Sequence, residues 1–167
     1  RLRGDSYDPT VALPRMYRVR QNFSGARLAD IPGGVRQALR DASLPIRRGD
    51  TVAVGAGSRG IANIDVVVRA TVDELKAQGA RPFVFPAMGS HGGATAEGQL
   101  RVLAYYGITE ASRGCEVRPS RDVVQVGEAL AMPVWLDRIA AEADWIGLVN
   151  RVKPHTDFKG SIELGLF

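Results

Sequence analysis

Three short apolar runs in this chain each end in a loop rich in glycine and polar residues. Thr51–Val54 leads into GAGSRGIANI, Pro82–Ala87 into MGSHGGATAEGQ, and Trp145–Val149 into NRVKPHTDFKG. Apolar or β-branched runs bounded by such loops predict strands. Helical patterns separate them, which favours right-handed crossovers and a mostly parallel sheet. We expect one α/β domain over residues 1–167, a Rossmann-like three-layer fold with helices on both faces of the sheet.

Caps and apolar stripes set the expected helices. They predict helices over about 32–43, 64–79 and 95–107, and a short one over 137–142. The weakly alternating segment Met16–Gln21 predicts an opening strand. Two short runs, Val123–Val126 and Pro133–Trp135, predict a hairpin around Gly127.

Composition excludes several classes of protein. The chain is 45% hydrophobic and 24% charged, as is typical of globular domains. No apolar run approaches the ~20 residues of a membrane span, and the first residues lack a signal peptide's apolar stretch, so we expect a cytoplasmic location. The single cysteine, Cys115, excludes an internal disulfide and a Cys-rich zinc site and is expected to be a bystander.

The net charge of +4 does not by itself indicate a nucleic-acid partner. Most of the basic residues are arginines scattered along the chain, whereas backbone binding requires clustered positive charge. We therefore expect neither a nucleic acid nor a membrane as partner. The last residues, SIELGLF, are apolar, which predicts a longer protein with a further C-terminal domain.

The chain's two histidines, His91 and His155, each lie in one of the glycine-rich loops. Loops that follow parallel strands meet at one edge of a sheet, where ligands bind. Lys153 and Lys159 flank His155, and Arg59 lies in the first loop. The alternative is that the glycines only turn the chain and that His91 bonds a backbone carbonyl.

Motif spacing excludes other chemistries. The two histidines have neither an adjacent cysteine nor HExxH spacing, so no metal ligands are assigned within this chain. A GxxxxGK[ST] phosphate loop and a GxSxG nucleophile elbow are both missing from the sequence. An arginine and two histidines remain, which suit one carboxylate clamp and two general bases that work near neutral pH.

Three motifs, GSRGIANI, PAMGSHGGATAEGQ and NRVKPHTDFKGSIELGL, resemble the N-terminal domain of the nickel-dependent lactate racemase family. The resemblance covers the chain from about residue 16 onwards. It implies a racemase or epimerase of 2-hydroxy acids that uses a nickel-pincer nucleotide. It further implies that Arg59 holds the substrate carboxylate and that His91 and His155 are opposing acid/base groups.

The resemblance also implies how the cofactor is held. The residues expected to bind it here are Ser58, Ser90, Gly92, Lys153 and Lys159. The cofactor-anchoring lysine and the nickel-ligating histidine are expected after Phe167, so the chain alone should lack nickel and expose a face that favours self-association. Ala56 replaces an acidic residue of the lactate enzymes and Ser58 a threonine, which favours a 2-hydroxy acid other than lactate.

Two other functions remain open on the sequence. A non-catalytic module could bind a nucleotide or phosphate through the glycine-rich loops and Lys153 and Lys159, and such a module would not need both imidazoles. A cofactor-free racemase or lyase could use His91 and His155 directly.

Overall fold

A computed structural model describes residues 16–20, 22, 25, 27–58 and 60–151 of the chain. The elements, in chain order, are α1 Ile31–Asp41, β1 Thr51–Ala56, α2 Ile64–Ala77, β2 Arg81–Pro86, a 3₁₀ turn His91–Ala94, α3 Ala96–Tyr105, α4 Glu110–Arg113, β3 Val123–Ala129, β4 Met132–Asp137, α5 Arg138–Ala141 and β5 Trp145–Val149. Within these ranges no helix combines the length and apolar character that a bilayer span requires.

The strands form two sheets. A parallel three-stranded sheet has the order β2-β1-β5, and β3 pairs with β4 as a separate antiparallel hairpin. In the parallel sheet, Val52 of β1 lies opposite Pro82 on one side and Trp145 on the other. The expected α/β class and the parallel sheet are therefore confirmed.

The core lies on both faces of the parallel sheet. On one face, alternate residues of β1 such as Val52 and Val54 pack against the apolar stripe of α2 and against Leu103 of α3. On the other face, Ala53, Phe83 and Phe85 pack against Ala140 of α5 and its neighbours. Because the strands are apolar on both faces, they read in the sequence as continuous apolar runs.

Local capping explains where the helices begin. Oδ1 of Asp30 accepts a hydrogen bond from the N–H of Gly33 (2.9 Å), and Pro32 lies in the first turn of α1. The hydroxyl of Thr95 accepts from Gly98 N–H (3.0 Å) at the start of α3, and Asp137 caps α5. These caps agree with the sequence-based prediction to within a few residues.

An ion pair between an exposed arginine and a buried glutamate joins the first two helices. Glu74 of α2, whose side chain is only 3% exposed, accepts two hydrogen bonds from the guanidinium of Arg40 of α1 (2.9 and 3.0 Å) and one from Gln78. The bonds from Arg40 and Gln78 hold the pKa of Glu74 below its usual range. This carboxylate stabilises the contact between α1 and α2.

Two expectations from the sequence are wrong. Residues 16–20 form no strand, and Gln21 lies outside the described residues. Met16 and Val19 are almost fully exposed, and none of the described strands pairs with this segment. The hairpin turns at Leu130 and Ala131, both at positive φ, instead of at Gly127. A register shift between Gln125 and Gly127 marks a bulge there, a position that glycine commonly takes.

Candidate functional site

The ends of the three parallel strands meet at one edge of the sheet, which we call the carboxyl edge. Ala56 at the end of β1 lies opposite Pro86 of β2 and Val149 of β5. The N–H of Gly57 donates to the carbonyl of Val149 (3.2 Å), so the first and third loops start side by side. The ends of the three strands meet as expected from parallel strands, and the third loop is described only as far as Arg151.

Ser58 and His91 are in direct contact at this edge. The Ser58 hydroxyl hydrogen-bonds to Nδ1 of His91, although the two residues come from different loops. Ser58 is buried (7% exposed) and His91 is half-buried. Among the described residues, Nε2 of His91 has no hydrogen-bond partner. One ring nitrogen is therefore held by Ser58, and the described residues leave the other without a partner.

Close packing against α3 fixes the loop that carries His91. Gly92 has a positive φ of 66°, and a Cβ there would lie 2.5 Å from the backbone N of Gln99. A Cβ at Gly98 would in turn collide with the carbonyl oxygen of Gly92. The buried Gln99 side chain donates to the carbonyl of Gly89 (2.7 Å) and closes the same loop onto the helix. Glycine at position 92 thus serves the packing that positions His91.

A cavity of about 350 Å³ adjoins the Ser58–His91 pair. Its lining consists of Ser58, His91, Gly92, Arg101, Val102, Tyr105 and Tyr106. Ser90 is exposed and is not part of this lining, although its carbonyl accepts the N–H of Ala94 (3.1 Å) within the same loop. The sequence analysis did not predict that side chains of α3 line the cavity. The spacing of Arg101 and Tyr105, one helical turn apart, could have indicated that they share a face of the helix.

The third loop begins beside the first one. A Cβ at Gly60 would lie 2.5 Å from Nη1 of Arg151, so the Arg151 guanidinium covers the first loop. The other residues predicted for the site, Arg59, Lys153, His155 and Lys159, lie outside the described residues. The structure thus brings together Ser58, His91 and Gly92 of the expected set.

Arginines give the carboxyl edge a positive character. Nη1 of Arg121 donates to the carbonyl of Gly89 (3.0 Å), Arg151 covers Gly60, and Arg101 lines the cavity. In the part of the chain that the structure describes, none of these three forms an ion pair. The ion-paired arginines are Arg40, Arg69 and Arg118. Charge of one sign at an open edge attracts anionic ligands.

Cys115 lies away from this site. It lines a different cavity of about 400 Å³ with Thr51 and Arg81, the first residues of β1 and β2, and hence near the opposite edge of the sheet. Burial raises the pKa of its thiol, and the nearby charge of Lys76 offsets this only in part.

No group of three or more His, Cys, Asp or Glu side chains gathers within residues 16–58 and 60–151 as far as they are described. Comparison with protein-family models, with curated proteins and with solved structures gives no match for this chain.

Proposed function

We propose that this chain is the N-terminal catalytic domain of a racemase or epimerase of 2-hydroxy acids that works with a nickel-pincer nucleotide, built on a Rossmann-like three-layer fold. The observation that carries the proposal is the contact between Ser58 Oγ and His91 Nδ1 beside an open cavity at the carboxyl edge. Three sequence motifs support it as well, since GSRGIANI, PAMGSHGGATAEGQ and NRVKPHTDFKGSIELGL resemble that racemase family.

The contact with Ser58 suits His91 to acid/base work. A serine hydroxyl both donates and accepts, so it can accept the Nδ1–H of a neutral imidazole and leave Nε2 as the base. When Nε2 takes a proton from the substrate hydroxyl, the Nδ1–H bond to Ser58 is kept in the imidazolium. No reorganisation of the ring is then needed between the two protonation states, which favours fast proton transfer.

Inversion at a carbon centre needs a second group on the opposite face. The proposal gives this role to His155 and the holding of the substrate carboxylate to Arg59. Arg59 directly follows Ser58 in the chain, and His155 comes a few residues after Arg151, whose side chain lies over the first loop. A planar guanidinium matches a carboxylate with two parallel hydrogen bonds.

The carboxyl edge also fits a nucleotide. Hydrogen-bond donors and positive charge for phosphate and ribose come from the buried Ser58 hydroxyl, the backbone of the Ser90–Gly92 loop and the arginines at this edge that form no ion pair among the described residues. The proposal adds Lys153 and Lys159 to this set and assigns the anchoring lysine and the nickel ligand to a C-terminal domain. The bound cofactor supplies a reversible acceptor for the hydride on C2 of the substrate.

Nickel analysis and a racemisation assay on the full-length protein test this function. We expect stoichiometric nickel and interconversion of the enantiomers of at least one 2-hydroxy acid. The 167-residue chain alone should fold, hold no stoichiometric nickel and show no turnover. Racemisation by nickel-free protein would favour a cofactor-free two-histidine enzyme. Nucleotide binding without any racemisation would favour a non-catalytic binding module.

A further inference from the structure

Arg101 of α3, which is exposed, lines the same cavity as His91. Tyr105 lies one helical turn further on and lines the same cavity, as does Tyr106. The two tyrosine rings meet edge to face, with centroids 5.4 Å apart and planes at 77°. One arginine and two tyrosines therefore line the cavity next to His91, with Tyr105 largely exposed to solvent.

The guanidinium of Arg101 is not used to stabilise its own helix. Glu97 precedes it by one turn, the spacing at which helical ion pairs form, yet within the described residues the two do not form one. Arg69 and Asp73 on α2 have the same spacing and do form the pair, at 2.8 Å. Within the described residues the Arg101 guanidinium forms no ion pair, although a carboxylate lies at the right spacing, and its donors could therefore serve a ligand.

We propose that Arg101, with the phenols of Tyr105 and Tyr106, binds a second anionic group, a carboxylate or phosphate, of the ligand that lies against His91. The planar guanidinium presents paired donors that suit either oxyanion. The inference rests on the proposed function for one point, namely that Arg59 holds the first carboxylate. A cavity of about 350 Å³ is in the size range of small-molecule sites and accommodates a small diacid.

The substrate class follows from the two anion-binding points. A hydroxy acid with a carboxylate at each end would engage both arginines, whereas lactate would leave Arg101 unused. The difference in affinity should be about ten-fold or more, because charge-assisted hydrogen bonds are the stronger kind. The same subsite would equally receive a nucleotide's phosphate, so the experiment must separate these two sources.

Calorimetric titration of the 167-residue chain tests the subsite without requiring turnover. The probes are malate, lactate, inorganic phosphate and AMP, each added to the unaltered chain, to Arg101→Gln and to Arg36→Gln. Arg36 is an exposed arginine of α1 far along the chain from the cavity, so its variant matches the change in net charge. Thermal melting of all three proteins checks that they are folded alike.

We expect Arg101→Gln to weaken malate binding about ten-fold while lactate binding and the Arg36→Gln protein stay unchanged. If phosphate and AMP weaken by this factor and malate does not, the anion subsite stands and its occupant is a nucleotide phosphate. Equal binding of every probe by both variants, or no binding of any dianion by the unaltered chain, overturns the inference. Malate binding through Arg101 in a protein that never racemises hydroxy acids would overturn the proposed function alone.

Discussion

The two edges of the parallel sheet differ in how far their polar side chains are hydrogen-bonded. At the edge where the strands begin, Asp144 accepts hydrogen bonds from both the N–H and the hydroxyl of Thr51 (2.7 Å each), and the indole N–H of Trp145 donates to Asp50 (2.9 Å). At the carboxyl edge, Arg101 and Nε2 of His91 have no such partners among the described residues.

The bonds at the edge where the strands begin stabilise the fold, whereas the proposed function assigns the side chains without such bonds at the carboxyl edge to a ligand. Asp50 also accepts from the N–H of Arg47 (2.8 Å), and the guanidinium of Arg81 donates to the carbonyl of Gly49 (2.8 Å). Every one of these bonds joins segments distant in sequence or closes a turn before a strand. Groups bonded in this way stabilise the fold. A charged residue by itself therefore does not indicate a ligand-binding site.

His91→Ala should have the largest effect, and on activity alone. In the full-length protein we expect turnover to fall ~10²-fold or more, because a positioned acid/base group is lost. The melting temperature should change little, since His91 lies in a loop and only half-buried. Measured turnover and thermal melting of the same preparation decide this. A variant that melts far below the parent, with activity per folded molecule intact, would mean that His91 is structural.

Trp145→Phe changes the edge where the strands begin, and should affect stability instead of activity. It removes the indole N–H that binds Asp50, which should lower the free energy of unfolding by about 1 kcal/mol. Turnover per folded molecule should not change, because the residue lies at the start of β5 and the site at its end. Urea denaturation with an activity assay measures both. Lower turnover at unchanged stability would contradict the assignment of this edge to stability and of the carboxyl edge to activity.

Lowering the pH should destabilise the folded protein at the edge of the sheet where the strands begin. The N–H and then the hydroxyl of Thr51 hold the pKa of Asp144 below its usual range. A carboxylate with a lowered pKa in the folded state contributes stability above its unfolded pKa of about 3.9, and that stability is lost as the pH falls through the folded value.

The variant Asp144→Asn isolates this contribution. As the pH is lowered below about 5, the range in which an aspartate titrates, the urea midpoint of the variant should fall less steeply than that of the parent. Parallel pH profiles for the two proteins would show that the bonds from Thr51 do not couple to folding.

Much of the fold follows from local sequence signals. The bounds of β5 agree with the expected Trp145–Val149, and β1 and β2 agree within two residues, because apolar runs between turns leave few other conformations. The caps at Asp30, Thr95 and Asp137 were likewise readable from residue type.

The remaining features depend on contacts between distant segments. α4 has only four residues and is set by reciprocal bonds between Thr109 and Ser112, too short a pattern for periodicity to detect. The strand order β2-β1-β5 and the side chains that α3 adds to the cavity arise from packing. The sequence predicted that the loops of Ser58 and His91 share an edge; their direct contact required the structure.

Gly92 of the His91 loop and Gly98 of α3 pack against each other, and this contact affects how the results of a mutational scan are interpreted. Neither Gly92 nor Gly98 has room for even a methyl group, because each would meet the other's backbone. In a saturation mutagenesis library both positions would be depleted as strongly as His91 itself. Gly98, which is buried and is not part of the cavity lining, would then pass for a functional residue. Scoring abundance and activity separately distinguishes them: glycine variants vanish from the folded pool, whereas His91 variants persist in it.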